Sequence, residues 1–485
     1  MKSRMRAAVL LVLAGMAAEV CAAAWGQRAA SLDQAKTLYV ERFQGDGEAS
    51  SLRQSLLRRL EKEHRFRIVD SRDASDAVVE GTGKIWLRGY ISTNARTPAN
   101  DRAAVYAGYL SLEVIGASGQ PLWSWLATPG KLHWKSIVDD LADRAANKLL
   151  EAARESGTGA GSGSTTAGNL AQTELTGGGA TFPAPLYRKW FEDFEELHPG
   201  VKIHYTLLGS KAGVEKLAAG SFDFAGSDVA PEIADSAAAT AKLRRVASVM
   251  GAVVAIYNLQ GEVRDLHFTP QALADIYLGK VKRWNDPEIR RSNSGMDLPD
   301  AEIAVVHRSE GSGTTWVWSN YLSKVSPEWA ASAGHGVELN WPVGIGAEGN
   351  DGVADAVAKT PNSIGYVELA YAIQRQLSFA GVRNRAGEYI HPDLDSLADA
   401  AKSAGAENGV PVDISDAPGK NAYPIAGFTW LVIPAETKDS AKKAALEELL
   451  RWVLTSGQKE CSALGYEPLP REIAESELRE LGKER

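Results

Sequence analysis

Between Ser156 and Asn169 the chain reads Ser-Gly-Thr-Gly-Ala-Gly-Ser-Gly-Ser-Thr-Thr-Ala-Gly-Asn, with no side chain large enough to anchor a core. A run of this composition behaves as a flexible coil. Taken through to Glu174 it forms a linker of about 18 residues with an r.m.s. span of roughly 25 Å. The sequence on either side must therefore build its own core, and 485 residues in any case exceed one ordinary domain. Hydrophobic residues at 44% and charged residues at 24% supply globular material for both pieces.

Residues 1–24 have the form of a signal peptide. Lys2, Arg4 and Arg6 precede an apolar run from Ala7 to Ala18, and Ala22-Ala23-Ala24 suits cleavage. The run is too short to span a bilayer as a helix. Cys21 raises lipid anchoring, but Val20 before it is bulky where a small residue is wanted, so a cleaved, periplasmic product is expected. Cys461 is then the only cysteine of the mature chain, which rules out an internal disulfide. No later segment reads as transmembrane, and a net charge of −8 argues against non-specific nucleic-acid binding.

Residues 31–155 predict a small α+β domain. Strand-like stretches cover 37–43, 65–69, 77–92, 103–115 and 121–127, with helices over 49–63 and 136–153. Leu52, Leu56, Leu57 and Leu60 share one face of the first helix. No chemical motif stands out, and a role for this domain is open beyond contact with an envelope partner.

Residues 175–485 alternate strands and helices in the α/β manner. Strands are predicted at 202–207, 251–257, 302–306 and 429–433. Helices are predicted at 183–197, 213–219, 270–278, 314–325, 352–359 and 440–454. So long a segment is large for one core, and two lobes around a cleft are expected.

Three Gly/Ser/Thr-rich segments fall at helix starts: Thr176–Pro183, Gly209–Gly213 and Arg308–Thr314. A helix start presents unpaired N–H groups and the positive end of the macrodipole, so it suits an anion. In the first, Thr181 offers a hydroxyl and Phe182 an N–H. In the second, Ser210 offers a hydroxyl beside Lys211, which is either a nearby cation or a solvated charge. The third combines the bidentate donor Arg308, the hydroxyls of Ser312 and Thr314 and the N–H of Gly313, with Glu310 placed to hold the guanidinium. Each alone is equally an ordinary capped helix. Asp228 appears out of place beside an anion until protonation is considered. A tetrahedral oxyanion that keeps a proton donates it to a carboxylate, whereas fully ionised sulfate is repelled.

These segments, with Trp341-Pro-Val-Gly, Gly349-Asn-Asp-Gly352, Ser363-Ile-Gly-Tyr-Val367 and Gly465-Tyr-Glu-Pro-Leu-Pro470 in the same order, resemble the periplasmic phosphate-binding proteins of phosphate ABC importers. The resemblance covers about 175–485 and leaves 31–155 as an addition. It implies a two-lobed type II periplasmic binding fold, with one lobe of about 175–250 and 425–485 and the other of about 251–424, inorganic phosphate as ligand, a membrane ABC permease as partner, no cofactor or metal, and no enzymatic activity. It places ligand contacts on Thr181, Phe182, Ser210, Asp228, Arg308, Ser312, Gly313 and Thr314, with Lys211 and Glu310 behind them. Two positions depart from the family pattern. Ser210-Lys211-Ala212-Gly213 stands where Ser-Ser-Gly-Gly is common, and Glu310 where aspartate is common. The alternatives are an envelope phosphate sensor acting through 31–155, or a phosphatase. For the latter the eight scattered histidines offer no metal-ligand spacing.

Overall fold

The computed structural model describes residues 29, 31–44, 47–92, 102–116, 119–129, 134–155, 170–229, 243–259, 265–404 and 413–482. The expected signal peptide, Cys21 and the run 156–169 lie outside the described residues. The chain forms two compact units, one drawn from residues 1–84, 110–127 and 138–163, the other from the remainder.

The first unit carries most of a five-stranded sheet. Its elements are β1 (Thr37–Val40), α1 (Gly47–Glu63), β2 (Arg67–Ile68), β3 (Ala77–Ser92), β4 (Arg102–Gly116), β5 (Pro121–Ala127) and α2 (Trp134–Glu155). The strand order is β2-β1-β3-β4-β5. β1 pairs in parallel with β2 and β3, which requires a crossover, and α1 supplies it between β1 and β2. Leu52, Leu56 and Leu60 of α1 and Leu141 and Leu149 of α2 are fully buried, as their helical spacing demands. Ser55 on α1 donates to Asp139 on α2 (2.5 Å), tying the two helices.

The second unit is organised by two long neighbouring strands. Its principal elements are β6 (Thr173–Gly179), α3 (Ala184–Leu197), β7 (Val201–Leu207), α4 (Ser210–Ala218), β8 (Phe224–Ser227) and β9 (Leu243–Asn258), followed by β10 (Ala304–Arg308), α5 (Gly313–Val325), β11 (Ile345–Ala347), α6 (Gly349–Lys359), β12 (Ser363–Glu368), β13 (Ala426–Pro434) and α7 (Ser440–Val453). The strand order is β11-β10-β12-β9-β13-β8-β6-β7. From Leu243 to Ala252, β9 pairs with β13; from Val253 to Asn258 it pairs with β12. One run of backbone thus serves two groups of strands, with β13, β8, β6 and β7 on one side and β12, β10 and β11 on the other. This is the two-lobed type II architecture.

Several element ends move from their expected places. β6 opens at Thr173, inside the stretch assigned by composition to the linker, because Thr173 and Glu174 already pair with Val201 and Lys202. β9 starts eight residues before Gly251: Arg244 and Arg245 weaken its local strand signal, and pairing with β13 overrides that weakness. β10 runs two residues further than expected, so Arg308 is its last residue.

The glycines of two segments meet. Gly213 of α4 lies against the end of β6, where an added Cβ would come within 2.6 Å of the Gly178 carbonyl oxygen and overlap the Gly179 Cα. Both obstacles are backbone, so no rotamer change relieves them. Gly213→Ala gains about 1 kcal/mol of helix propensity but meets an overpacking cost of about 1–3 kcal/mol. We expect a net fall in the urea midpoint; an unchanged or raised midpoint contradicts this close approach.

Candidate functional site

At the first helix mouth the chain leaves β6 through Gly179, whose φ of 135° favours glycine. Pro183 is the N-cap of α3 and no side chain caps it, so the Thr181 hydroxyl is not spent on the helix. Instead Thr181 Oγ1 accepts from Asn350 Nδ2 at 2.9 Å. The Thr181 carbonyl accepts from Tyr371 Oη (2.6 Å). That carbonyl shares a peptide plane with the Phe182 N–H, so fixing one aims the other in the opposite direction. Tyr466 Oη holds the next carbonyl, that of Phe182, at 2.7 Å.

The second mouth is built on Gly209, the N-cap of α4, with φ 82° and no side-chain cap. Ser210 is the first helical residue rather than the cap. Its Oγ accepts from the Asp228 N–H (3.2 Å) and lies 3.4 Å from Asp228 Oδ2. The Lys211 N–H donates to the Gly311 carbonyl (3.2 Å), joining this mouth to the third.

The third mouth follows β10. Ser312 is the N-cap of α5 and accepts from the Thr315 N–H at 3.2 Å, so its capping role is real. The Arg308 side chain is 1% exposed. Its Nε donates to Glu310 Oε1 (2.9 Å), its Nη2 reaches the same oxygen, and its Nη1 donates to Thr314 Oγ1 (3.2 Å). Glu310 Oε1 also accepts from the Gly349 N–H at 3.1 Å. Burial pushes the Glu310 carboxyl up, but the hydrogen bonds and charge of Arg308, with the Gly349 N–H, hold it below its ordinary range. The longer acid therefore still clamps the guanidinium.

Asp228 closes the ring. It follows β8, is 2% exposed, and its Oδ1 accepts from Thr429 Oγ1 of β13 at 2.8 Å. Desolvation pushes its carboxyl up to about 7 against the Thr429 bond, the Arg308 charge and the Ser210 contact. A Cβ on Gly313 would press on the Cβ of Asp228 (2.6 Å) and on the Ser210 hydroxyl, so only glycine lets α5 start there.

The structure thus brings Thr181, Phe182, Ser210, Asp228, Arg308, Ser312, Gly313 and Thr314 into one buried neighbourhood. Thr181, Phe182, Ser210 and Asp228 come from one strand group, and Arg308, Ser312, Gly313 and Thr314 from the other. Lys211 is placed differently: its ammonium pairs with Glu338 (2.7 Å) and the side chain is 41% exposed, so it stands at the rim. Three buried participants escaped the residue-level reading. Asn350 lies within a motif quoted only for resemblance, Thr429 read as an ordinary strand residue, and Tyr371 sits outside every motif. Among the described residues no group of three or more His, Cys, Asp or Glu is arranged to hold a metal.

The fold and the buried ring of donors around Asp228 fit a substrate-binding protein of the type II periplasmic class. The PBP superfamily domain matches residues 161–456. The phosphate-binding protein PstS of Xylella fastidiosa (strain Temecula1) is 41% identical over 313 residues, spanning 63% of this chain and 85% of that protein. Its namesake in Methanocaldococcus jannaschii is 38% identical over 324 residues, 61% and 82% of the two chains. The chain belongs to this PstS family of phosphate-binding proteins. Among solved structures, a high affinity periplasmic phosphate-binding protein (PfluDING) bound with phosphate shares the fold with a TM-score of 0.51, 21% identity and coverage of 63% and 92%. A phosphate-binding protein from Stenotrophomonas maltophilia likewise gives 0.51 at 19% identity, covering 63% and 93%. The family domain begins at residue 161, so β1 to β5 lie outside it.

The raised Asp228 carboxyl has a consequence for stability. Between the unfolded carboxyl value and about 7, the folded chain holds a proton that the unfolded chain has released. Stability is therefore lost as pH rises through that window. In chemical denaturation without ligand, Asp228→Asn should be more stable than the parent at pH 8, with the difference shrinking towards pH 4. A difference independent of pH contradicts the assignment.

Proposed function

We propose that the chain is an exported phosphate receptor that captures inorganic phosphate in the periplasm and delivers it to a membrane ABC permease. The observation that carries this reading is the polarity of the buried ring: hydroxyl, N–H and guanidinium donors gather around Asp228, while the neighbouring carboxylate of Glu310 is engaged by Arg308 and the Gly349 N–H. In the proposed complex the hydroxyls of Thr181, Ser210, Ser312 and Thr314, the N–H groups of Phe182 and Gly313 and the Arg308 guanidinium donate to the anion's oxygens. Asp228 accepts the proton that monohydrogen or dihydrogen phosphate retains. Fully ionised sulfate has no proton to offer and leaves two facing acceptors in a buried site, a penalty of about 1–3 kcal/mol or more.

Family membership and the match to PstS proteins support the reading. The expected signal peptide supports export, and among the described residues no helix is long and apolar enough to cross a membrane. Family membership and the assembly of the site support the permease reading: groups from both strand groups close the ring, so a partner that reads both sides would recognise the loaded form.

Titration calorimetry tests this directly. The parent chain should bind one phosphate and exclude sulfate at pH 8, with sulfate binding gaining as pH falls through about 7 and Asp228 takes up a proton. Asp228→Asn should narrow the phosphate-over-sulfate preference and flatten its pH dependence. Equal sulfate exclusion by the variant contradicts the proton-acceptor mechanism, and no phosphate binding by the folded parent contradicts the receptor reading.

A further inference from the structure

Asn350, at the start of α6, is fully buried and hydrogen-bonded through every polar atom of its side chain. Oδ1 accepts from the Glu368 N–H at 2.9 Å. Nδ2 donates to Thr181 Oγ1 (2.9 Å) and to Thr314 Oγ1 (3.2 Å). The backbone donor at Glu368 settles which way the amide faces, because a flipped amide would set N–H against N–H. Both threonine oxygens therefore receive a hydrogen bond from Asn350. Thr314 Oγ1 also receives Arg308 Nη1, which fills both of its lone pairs. Its own proton is then left to point elsewhere, and it acts towards any further group as a donor only.

We propose that Asn350 is the positioning residue that sets the hydroxyl polarity of the site: one buried amide, anchored by the Glu368 N–H, occupies an acceptor position on both Thr181 and Thr314, biasing the first towards donating to the anion and, together with Arg308 Nη1, leaving the second a donor only. The proposal rests on the phosphate-receptor reading above and adds to it a residue that touches the ligand's partners rather than the ligand. The arrangement also makes the polarity depend on assembly of the site, since Asn350 and Thr314 belong to one strand group and Thr181 to the other. A hydroxyl that is free to rotate must be oriented at binding; one already accepting from Asn350 is oriented beforehand, which lowers the cost of binding. Pinning Thr181 and Thr314 in this way divides the labour of the ring. Their hydroxyls serve any tetrahedral oxyanion, while the requirement for a proton is left to Asp228.

The test is a set of phosphate titrations on the full chain, with inorganic phosphate as the probe. Asn350→Ala should weaken binding about 10-fold, as expected for loss of the oriented hydrogen bonds. In a chain carrying Thr181→Val and Thr314→Val, which keep shape but have no hydroxyls, adding Asn350→Ala should cost less than about 2-fold. A role in packing alone has no reason to depend on those hydroxyls. Losses of equal size in both backgrounds, or parent-like binding by Asn350→Ala, overturn the proposal. Melting curves without phosphate establish that each variant is folded, and Asn350→Ser takes the place of the alanine variant, read by the same comparison, where alanine does not fold. A parent chain that binds no phosphate overturns the receptor reading itself, a result seen before any variant is made.

Discussion

A carboxylate buried opposite an arginine and a ring of donors is the constraint on which the rest of this structure depends. Asp228 loses its hydration, and only the Thr429 hydroxyl, the Ser210 contact and the field of Arg308 compensate. Left without these, a buried charge of this kind neutralises itself by taking up a proton. The balance near neutrality makes the group responsive: ionised, it asks for a donor on the ligand; protonated, it no longer does. Arg308 faces the complementary problem and meets it with Glu310, whose carboxylate is further held by the Gly349 N–H. Each buried charge is thus tied to groups from a different segment, and the segments must come together for either to be tolerated.

The fold provides that meeting point economically. β9 and β13 lie side by side, and β9 exchanges β13 for β12 between Ala252 and Val253. Asp228 and Thr429 belong to the β13 side; Arg308, Thr314 and Asn350 belong to the β12 side. The hydrogen bonds from Asn350 to Thr181 and from Tyr371 to the Thr181 carbonyl join the sides through buried groups. The Lys211–Glu338 pair also joins them, but at an exposed rim where such a pair contributes about 0–1 kcal/mol. The unusual Lys211 is therefore a surface feature of this chain, and the donor set does not depend on its charge.

Much of this was written locally in the chain. The three glycine-rich helix starts follow from backbone requirements that short segments reveal, and the ordered motifs pointed to the residues that now share one buried neighbourhood. The assignment of Glu310 to Arg308 also needed only their spacing. What local reading missed has a common physical cause. Asn350, Tyr371 and Thr429 contribute by what the fold brings to them across 169, 190 and 201 positions of chain, and nothing in their immediate neighbours marks that role. The early start of β9 was hidden for the same reason, because Arg244 and Arg245 are held in the strand by β13 rather than by propensity. Cap chemistry misled in the other direction: Thr181 and Ser210 look like helix caps, yet Pro183 and Gly209 occupy those positions and leave both hydroxyls to other partners.

We propose that the site recognises a protonated tetrahedral anion through oriented donors and the carboxylate of Asp228. Neutron diffraction from deuterated crystals of the phosphate-bound chain tests this most directly, because it locates each exchangeable hydrogen. The expected result is a deuteron on the anion oxygen that faces Asp228, no deuteron on that carboxylate, and a Thr314 hydroxyl deuteron directed at the anion. A deuteron bonded to Asp228, or a Thr314 hydroxyl turned towards Asn350, would contradict it.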